Sequence, residues 1–195
     1  MPAPVYIVRH GQTDWNAEFR LQGQADIDLN DLGRRQAVGN GSKLARLIDE
    51  PQAFDFVASP MIRTRRTMEL LRGAMGLDPA AYRTDERLKE LNFGDWQGYT
   101  AEELEALHPG STRRRELAKW DFRPVGEGAE SYQMLLERVE PVFRVLRGPA
   151  VCVTHGGIMR VLFRLVGGMS KEDACALAIP QDRILRWQGD TLEWL

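Results

Sequence analysis

Two histidines of this 195-residue chain occupy the same kind of position, directly after a short apolar run and before a glycine. Arg9 and His10 follow the run 5–8, and His155 follows residues 151–154. Short apolar runs of this kind are typical of buried strands in parallel sheets, whose carboxyl ends face the ligand in open α/β folds. We therefore expect both imidazoles at one edge of a sheet, facing a common crevice.

A third segment brings another guanidinium to the same edge. Residues 54–58 form a predicted strand, which Ser59 and Pro60 end. We expect Pro60 in the first turn of the next helix with Ser59 as the N-cap, so that Arg63 points back over the end of the strand. The four polar groups predicted to converge on one pocket are Arg9, His10, Arg63 and His155.

Imidazoles surrounded by guanidiniums are suited to phosphoryl transfer. Arginine binds phosphoryl oxygens in a bidentate manner, and two arginines with a protonated histidine stabilise the charge of the transition state without a metal ion. A neutral histidine can attack phosphorus and form a covalent intermediate. Because the departing alkoxide needs a proton, we also expect a carboxylic acid near the mouth of the pocket.

Other chemistries are disfavoured because the sequence lacks the motifs that they need. No H-x-H or H-E-x-x-H spacing and no carboxylate cluster accompanies the histidines, so we expect neither a metal ion nor another cofactor. The P-loop pattern is absent as well. A net charge of −2 argues against nucleic acid as a partner, and no apolar run approaches the ~20 residues that cross a membrane. The expected partner is a small-molecule phosphate ester.

The sequence Arg-His-Gly-Gln-Thr at 9–13, followed by Trp15 and Asn16, resembles the signature of the histidine phosphatase superfamily, the phosphoglycerate mutase-like proteins. Further motifs match in the same order along the chain: Ser59-Pro60 with Arg63 and Thr67, the segment 88–98 with Glu90, and Thr-His-Gly-Gly at 154–157. Together they span most of the chain, which makes the joint pattern specific.

The resemblance implies a role for each residue that matches. His10 would be the nucleophile that becomes phosphorylated, and Arg9, Arg63 and His155 would bind the phosphoryl group. Glu90 would act first as general acid and then as the base for the attacking water. The nearest competing carboxylates in the sequence are Asp95 and Glu86.

Weaker matches extend the predicted site. Asn16 and the backbone of Gly156 would assist at the phosphate, and Gln22 with Gly23 falls where the family has pocket-lining residues. Glu130 resembles the glutamate of a Gly-Glu-Ser turn, but Ala129 intervenes and leaves its role open. The basic run 113–115 is interpreted as a solvated face, with contact at the pocket mouth as the alternative.

Apolar strands alternate with helical segments along the chain, which predicts an α/β fold. Predicted strands at 54–58, 82–84 and 151–154 follow the first one, and Gly189-Asp190 joins a final hairpin. We expect a three-layer α/β/α arrangement around a mostly parallel sheet, which is also the phosphoglycerate mutase-like fold that the resemblance implies. Residues 1–195 are predicted to form one domain, with about 91–128 as a cap-like excursion over the active site.

Three activities remain open. A metal-independent phosphomonoester hydrolase is favoured, because the segment 101–127 is compact, whereas the resemblance implies a longer segment in the cofactor-dependent mutases. A phosphoglycerate mutase and a non-catalytic module that binds a phospho-ligand are the alternatives. The substrate is not specified by the sequence.

The expected compartment and oligomeric state are inferred from fewer residues. Cys152 and Cys175 form no C-x-x-C motif and are interpreted as reduced core thiols of a cytoplasmic protein. The predicted terminal hairpin offers an edge strand through which a homodimer could form.

Overall fold

The computed structural model describes residues 2–146 and 148–195. Its centre is a six-stranded sheet with the order β3-β2-β4-β1-β5-β6. The strands are β1 (Val5–Arg9), β2 (Asp55–Ala58), β3 (Arg83–Thr84), β4 (Ala150–Thr154), β5 (Ile184–Gln188) and β6 (Thr191–Trp194). The pairs β1–β4, β2–β4 and β2–β3 are parallel, whereas the C-terminal hairpin joins β1 in antiparallel orientation. The prediction of a mostly parallel sheet with a terminal hairpin is confirmed.

Eight α-helices connect the strands in the described residues. They are α1 (Asp14–Ala17), α2 (Asp31–Leu47), α3 (Ile62–Ala74), α4 (Ala101–Leu107), α5 (Ser111–Leu117), α6 (Tyr132–Val145), α7 (Gly156–Leu165) and α8 (Lys171–Ala176). Strand β1 shows how the layers form, because successive strand side chains point to opposite faces of a sheet. Val5 and Ile7 join the apolar cluster beneath α6 and α7, while Tyr6 and Val8 join the cluster beneath α2 and α3. The predicted α/β/α layering is confirmed.

Helix α2 runs without a break although Gly39 and Gly41 lower its helix propensity. A Cβ on Gly41 would lie 2.4 Å from the carbonyl oxygen of Leu71, so this glycine is what allows α2 and α3 to approach so closely. The close packing of the two helices compensates the weak local preference. None of the helices in residues 2–146 and 148–195 is both long and apolar enough for a membrane span.

The pairing of β1 with β4 fixes the part of the fold that matters for chemistry. Arg9 is aligned with Thr154 in the parallel register, so the residues that follow both strands leave the sheet side by side. The backbone N–H of His10 continues the ladder by donating to the carbonyl oxygen of Thr154 at 2.9 Å. The two histidines therefore lie at one edge of the sheet, as predicted.

Candidate functional site

A cavity of about 220 Å³ opens at the carboxyl ends of β1, β2 and β4. Eight of the nine sequence-predicted site residues line it: Arg9, His10, Asn16, Gln22, Gly23, Arg63, Glu90 and Gly156. The ninth, His155, is fully buried beside His10, with ring centroids 5.2 Å apart and planes inclined by 62°. The sequence-based set is therefore one spatial cluster.

The imidazole of His10 is held in a defined orientation. Its Nδ1 donates to the carbonyl oxygen of Gly11 at 2.8 Å, and because a carbonyl only accepts, this contact places the proton of a neutral ring on Nδ1. The lone pair is then on Nε2. The turn itself is fixed by a hydrogen bond of 3.0 Å from the Gly11 N–H to the hydroxyl of Thr67. A Cβ on Gly11 would lie 2.2 Å from the carbonyl oxygen of Gly33, so no larger residue fits here.

His155 is tied to the strand end that carries Ser59. Its Nε2 lies 2.8 Å from the Ser59 hydroxyl, while its Nδ1 is buried without a protein partner. The prediction that Ser59 caps α3 with Pro60 in the first turn is wrong. Helix α3 begins at Ile62 with Met61 as the N-cap residue and without a side-chain cap. The serine is instead used in a tertiary contact that the local pattern does not reveal.

The two predicted arginines are buried and anchored by carbonyl groups. Arg63 donates to the carbonyl oxygens of Ala25 at 2.8 Å and Gly23 at 2.7 Å, and Arg9 donates to that of Ile179 at 2.6 Å. The Nε atoms of both guanidiniums are buried without a protein partner. Burial lowers the pKa of each arginine to about 10, against a smaller opposite effect of Glu90. Both remain cations at neutral pH, with unpaired donors that favour an anionic acceptor.

Glu90 reaches the cavity from the segment between β3 and α4. Its two carboxylate oxygens accept backbone hydrogen bonds from Leu91 at 2.8 Å and Gly157 at 3.0 Å. A Cβ on Gly157 would lie 2.3 Å from Glu90 Oε1, so the second glycine of the 154–157 motif is required for this approach. The competing carboxylates, Asp95 and Glu86, are both exposed and do not line the cavity.

Glu130 braces the segment that carries Glu90. Its carboxylate pairs with the guanidinium of Arg138 at 2.7 and 2.8 Å and accepts from the Asn92 N–H at 3.0 Å. Arg138 also donates to the carbonyl oxygen of Lys89 at 2.9 Å and approaches that of Glu90 at 3.3 Å. Glu130 does not line the cavity, but it supports the backbone that carries Glu90. This is the role of Glu130 that the sequence left open.

Asn16 belongs to the short helix α1, which begins four residues after His10. Thr13 caps α1 and forms a reciprocal capping box with Asn16. The Asn16 side-chain oxygen also accepts from Gln181 at 3.0 Å, a residue that sequence reasoning missed. Asn16 itself lines the cavity. Gln22, the other amide of the site, is buried with neither side-chain polar atom hydrogen-bonded to protein.

One wall of the cavity carries two cations that sequence reasoning missed, Lys119 and Arg160. Arg115, Lys119 and Arg160, which we call the basic wall, line the cavity together with Tyr132. The interpretation of the run 113–115 as a solvated face holds for Arg113 and Arg114, which are exposed. For Arg115 the alternative holds, contact at the pocket, because this side chain lines the cavity. Arg115 lies on α5, whereas Lys119 follows the C-terminal end of that helix and Arg160 lies on α7, so no single local spacing groups the three side chains.

The charge of the two histidines follows from their surroundings. Burial lowers the pKa of both imidazoles well below 6.5, and the neighbouring cations Arg63 and Arg9 lower it further. Both rings are therefore neutral in the folded protein at neutral pH. A neutral His10 is the form that can act as a nucleophile.

These pKa shifts predict an acid-sensitive fold. Histidines in the unfolded chain take up protons below about pH 6.5, whereas His10 in the folded chain does not, so stability falls as the pH decreases through that value. Between pH 7.5 and 5.5 His10 should contribute a loss of about 1 kcal/mol in the free energy of unfolding. Urea unfolding in phosphate-free buffer measures it: His10→Gln should lose less stability than the wild type by this amount. An equal loss in both proteins would contradict the expectation.

The charged side chains around the cavity are predominantly cationic. In the part of the chain that the structure describes, no group of three or more histidine, cysteine, aspartate or glutamate side chains is placed to hold a metal ion. The cavity is instead rich in cationic side chains. Its lining holds five arginines and one lysine against the single carboxylate of Glu90.

Comparisons with known proteins agree with this geometry. A family model described as histidine phosphatase superfamily (branch 1) matches residues 5–192. A glucosyl-3-phosphoglycerate phosphatase from Mycolicibacterium vanbaalenii is 35% identical over 84% of this chain and 73% of that protein. A 2,3-bisphosphoglycerate-dependent phosphoglycerate mutase from Rhizobium meliloti is 31% identical over 91% and 85%, respectively.

The solved structures that resemble this chain agree as well. The structure of a mycobacterial glucosyl-3-phosphoglycerate phosphatase in complex with VO3 has a TM-score of 0.78 and 29% identity, covering 99% of this chain and 96% of that one. The fold is thus shared along almost the whole length of both chains. The chain belongs to the histidine phosphatase superfamily.

Proposed function

We propose that this protein is a metal-independent phosphomonoester hydrolase that acts on a small phosphorylated metabolite through a phosphohistidine at His10. The observation that carries the proposal is the state of that ring: neutral, with Nδ1 bound to Gly11 and Nε2 left as the nucleophile beside Arg9 and Arg63. Nothing in the packing of a core requires two imidazoles and two guanidiniums to meet at a cavity. Phosphoryl transfer gives each of them a use.

In the first half-reaction, His10 Nε2 attacks phosphorus and the bond to the ester oxygen breaks. Arg9, Arg63 and His155 surround the phosphoryl oxygens and stabilise the charge of the transition state. Glu90, in its protonated form, gives a proton to the departing oxygen, so that an alcohol leaves instead of an alkoxide. The products are the free alcohol, phosphorylated His10 and the Glu90 carboxylate.

The second half-reaction restores the enzyme. The Glu90 carboxylate takes a proton from a water molecule, whose oxygen attacks phosphorus as the bond to Nε2 breaks. Inorganic phosphate leaves, and both His10 and Glu90 return to their starting protonation states. Asn16 and the backbone of Gly156 assist at the phosphate, and Gln22 with Gly23 completes the lining near Arg63.

The size of the cavity supports a small substrate, because 220 Å³ lies below the ~300–1,000 Å³ of pockets for drug-sized ligands. The relatives named glucosyl-3-phosphoglycerate phosphatase favour hydrolysis over phosphoryl transfer to a second metabolite. In the proposed single domain, the segment 91–128 is the cap-like excursion. It supplies Phe93, Arg115 and Lys119 to the cavity.

The proposal is tested by trapping the intermediate. After brief mixing with a ³²P-labelled phosphate ester and quenching, we expect one acid-labile, base-stable label per chain, and mass spectrometry should place it on His10. Conversion of 3- to 2-phosphoglycerate with a bisphosphate primer, without net phosphate release, would show a mutase instead. An unlabelled protein that binds phosphate esters without turnover would show a non-catalytic binding module.

Compartment and assembly are further parts of the proposal. Cys152 and Cys175 are both buried free thiols, which supports a reduced cytoplasmic protein. Strand β6 lies at the edge of the sheet, which supports the prediction that a homodimer forms through edge pairing. Sedimentation velocity of the purified protein would measure its oligomeric state.

A further inference from the structure

The unpaired polar atoms of the protein interior are concentrated at one place. Among the described residues, six buried side-chain nitrogen or oxygen atoms form no hydrogen bond to protein. Five of them belong to residues of the proposed phosphoryl site: Arg9 Nε, Arg63 Nε, His155 Nδ1 and both amide atoms of Gln22. Buried polar groups are nearly always hydrogen-bonded, so these atoms indicate a polar ligand. His155 Nδ1 is the one atom of the five whose role depends on the position of a proton.

The other nitrogen of that ring contacts a hydroxyl group. Ser59 is fully buried, and its Oγ accepts from the Met61 N–H at 3.4 Å, a long contact that does not use the hydroxyl hydrogen. Within the described ranges, the acceptor that this hydroxyl contacts is His155 Nε2, at 2.8 Å. Because a buried donor without a partner is costly, the Ser59 hydroxyl donates to Nε2.

This contact decides which nitrogen of His155 carries the ring proton. A neutral imidazole has one N–H and one lone pair, and an Nε2 that accepts from Ser59 holds the lone pair. The N–H is then at Nδ1. In the reverse arrangement, Nε2 would donate to the serine oxygen, and the buried hydroxyl hydrogen would have no acceptor. Nδ1 would then present a lone pair, which repels a phosphoryl oxygen.

The surroundings of His155 keep the ring neutral. Burial lowers its pKa well below the ordinary value, and the charge of Arg63 lowers it further. His155 is also the N-cap residue of α7, where the positive end of the helix dipole disfavours an imidazolium. A neutral ring can donate to a phosphoryl oxygen through only one nitrogen, so the choice of tautomer matters for the reaction.

We propose that Ser59 is a positioning residue, whose hydroxyl holds neutral His155 in the tautomer that presents Nδ1–H to a phosphoryl oxygen. The inference rests on the proposed phosphatase function and adds a residue that acts through His155. The ring serves as a hydrogen-bond donor, while Arg9 and Arg63 supply the positive charge. Its proton stays on Nδ1 throughout, so the proton balance of the two half-reactions is unchanged.

The tautomer can be measured directly in the wild-type protein without substrate. The protonated and unprotonated nitrogens of a neutral imidazole differ in ¹⁵N chemical shift, and the chain contains three histidines. Spectra of ¹⁵N-histidine-labelled wild type, His10→Gln and His108→Ala identify the signals of His155 by elimination. We expect its proton on Nδ1 and its lone pair on Nε2. A proton on Nε2 would overturn the proposal.

A variant links the tautomer to the reaction. In Ser59→Ala the His155 proton should no longer be confined to Nδ1. We expect kcat/KM for p-nitrophenyl phosphate to fall by about 10- to 100-fold, the value of a hydrogen bond to a charged group. Circular dichroism shows whether this variant is folded, and the wild-type tautomer alone decides the proposal if it is not.

Thr64→Val is the matched control, because it removes another buried hydroxyl from the same turn. The Thr64 hydroxyl donates instead to the carbonyl oxygens of Ser59 and Met61, at 2.8 and 2.7 Å. Its kcat/KM should stay within about twofold of the wild type. An equal loss in both variants would assign the effect to packing of the turn and overturn the proposal, as would an unchanged tautomer in folded Ser59→Ala. The tautomer does not depend on turnover, so a wild-type protein with Nδ1–H but without phosphatase activity would contradict the proposed function alone.

Discussion

His10→Ala is expected to lower kcat for p-nitrophenyl phosphate by about 10⁴- to 10⁶-fold, which corresponds to roughly 5–8 kcal/mol of lost barrier reduction. The size follows from the role of Nε2 as the atom that bonds to phosphorus. Without this nitrogen, water must attack the phosphorus of the substrate directly, and the displacement is no longer divided into two easier steps. Steady-state release of nitrophenolate measures the loss, with inorganic phosphate release as a second readout.

The third histidine provides the matched control. His108 follows α4 and is exposed, so His108→Ala should keep kcat within about twofold of the wild type. Circular dichroism and binding of inorganic phosphate should show that His10→Ala is folded and that Arg9 and Arg63 still hold an anion. More than about 1% of wild-type kcat in a folded His10→Ala protein would rule out His10 as the nucleophile.

The convergence of the four central groups was predictable because it depends on short-range rules. Apolar runs before His10 and His155 identify buried strands, and parallel strands present their carboxyl ends at one edge. The register of β1 against β4 then brings the two histidines together with little further information. For Arg63, a single helical turn after β2 was enough to place the guanidinium, even though the expected N-cap at Ser59 was wrong.

The basic wall was not predictable in the same way. Helix α5 lies in a stretch where Pro109 and Gly110 interrupt the periodic pattern, and its seven residues are too few for a clear apolar face. Lys119 is held by a tertiary contact, the hydrogen bond of 2.9 Å from its Nζ to the carbonyl oxygen of Cys175. The neighbouring Trp120 stacks on Tyr132, with ring centroids 5.7 Å apart. Such a contact joins residues of separate segments, and no local propensity encodes it.

Contacts between distant segments explain the other misses. Gln181 donates to Asn16 across 165 positions, and Ile179 accepts from Arg9 across 170. Ile179 and Gln181 are common residue types, and neither belongs to a recognisable motif. Ser59 shows the converse case, since a strong local signal for capping is overridden by a tertiary hydrogen bond to His155. Local sequence rules were therefore enough to identify the reacting groups. The residues that orient these groups could be identified only from the three-dimensional structure.

Glu90→Gln is expected to slow the two half-reactions to different extents, depending on the leaving group of the substrate. An alkyl phosphate such as glycerol 3-phosphate releases a strongly basic oxygen, so removing the acid should lower kcat by about 10²- to 10⁴-fold at the phosphorylation step. Nitrophenolate leaves without protonation, so phosphorylation of His10 stays fast with p-nitrophenyl phosphate. The subsequent attack of water still lacks its base, and the phosphoenzyme should accumulate.

Rapid mixing gives this prediction a distinctive signature. Glu90→Gln should release one equivalent of nitrophenolate per chain in a burst, followed by slow turnover, and the label on His10 should persist. Because the glutamine amide replaces one oxygen that accepts from Leu91 or Gly157, Tm should be measured, and Glu90→Ala serves as a second variant without that mismatch. Glu86→Gln is the control, since Glu86 is exposed and pairs with Lys89 at the surface. If kcat falls equally for the alkyl and the aryl ester and no burst is seen, the proton transfers belong to another group. The reason is that the loss of an acid acting on the leaving oxygen depends on the basicity of that oxygen.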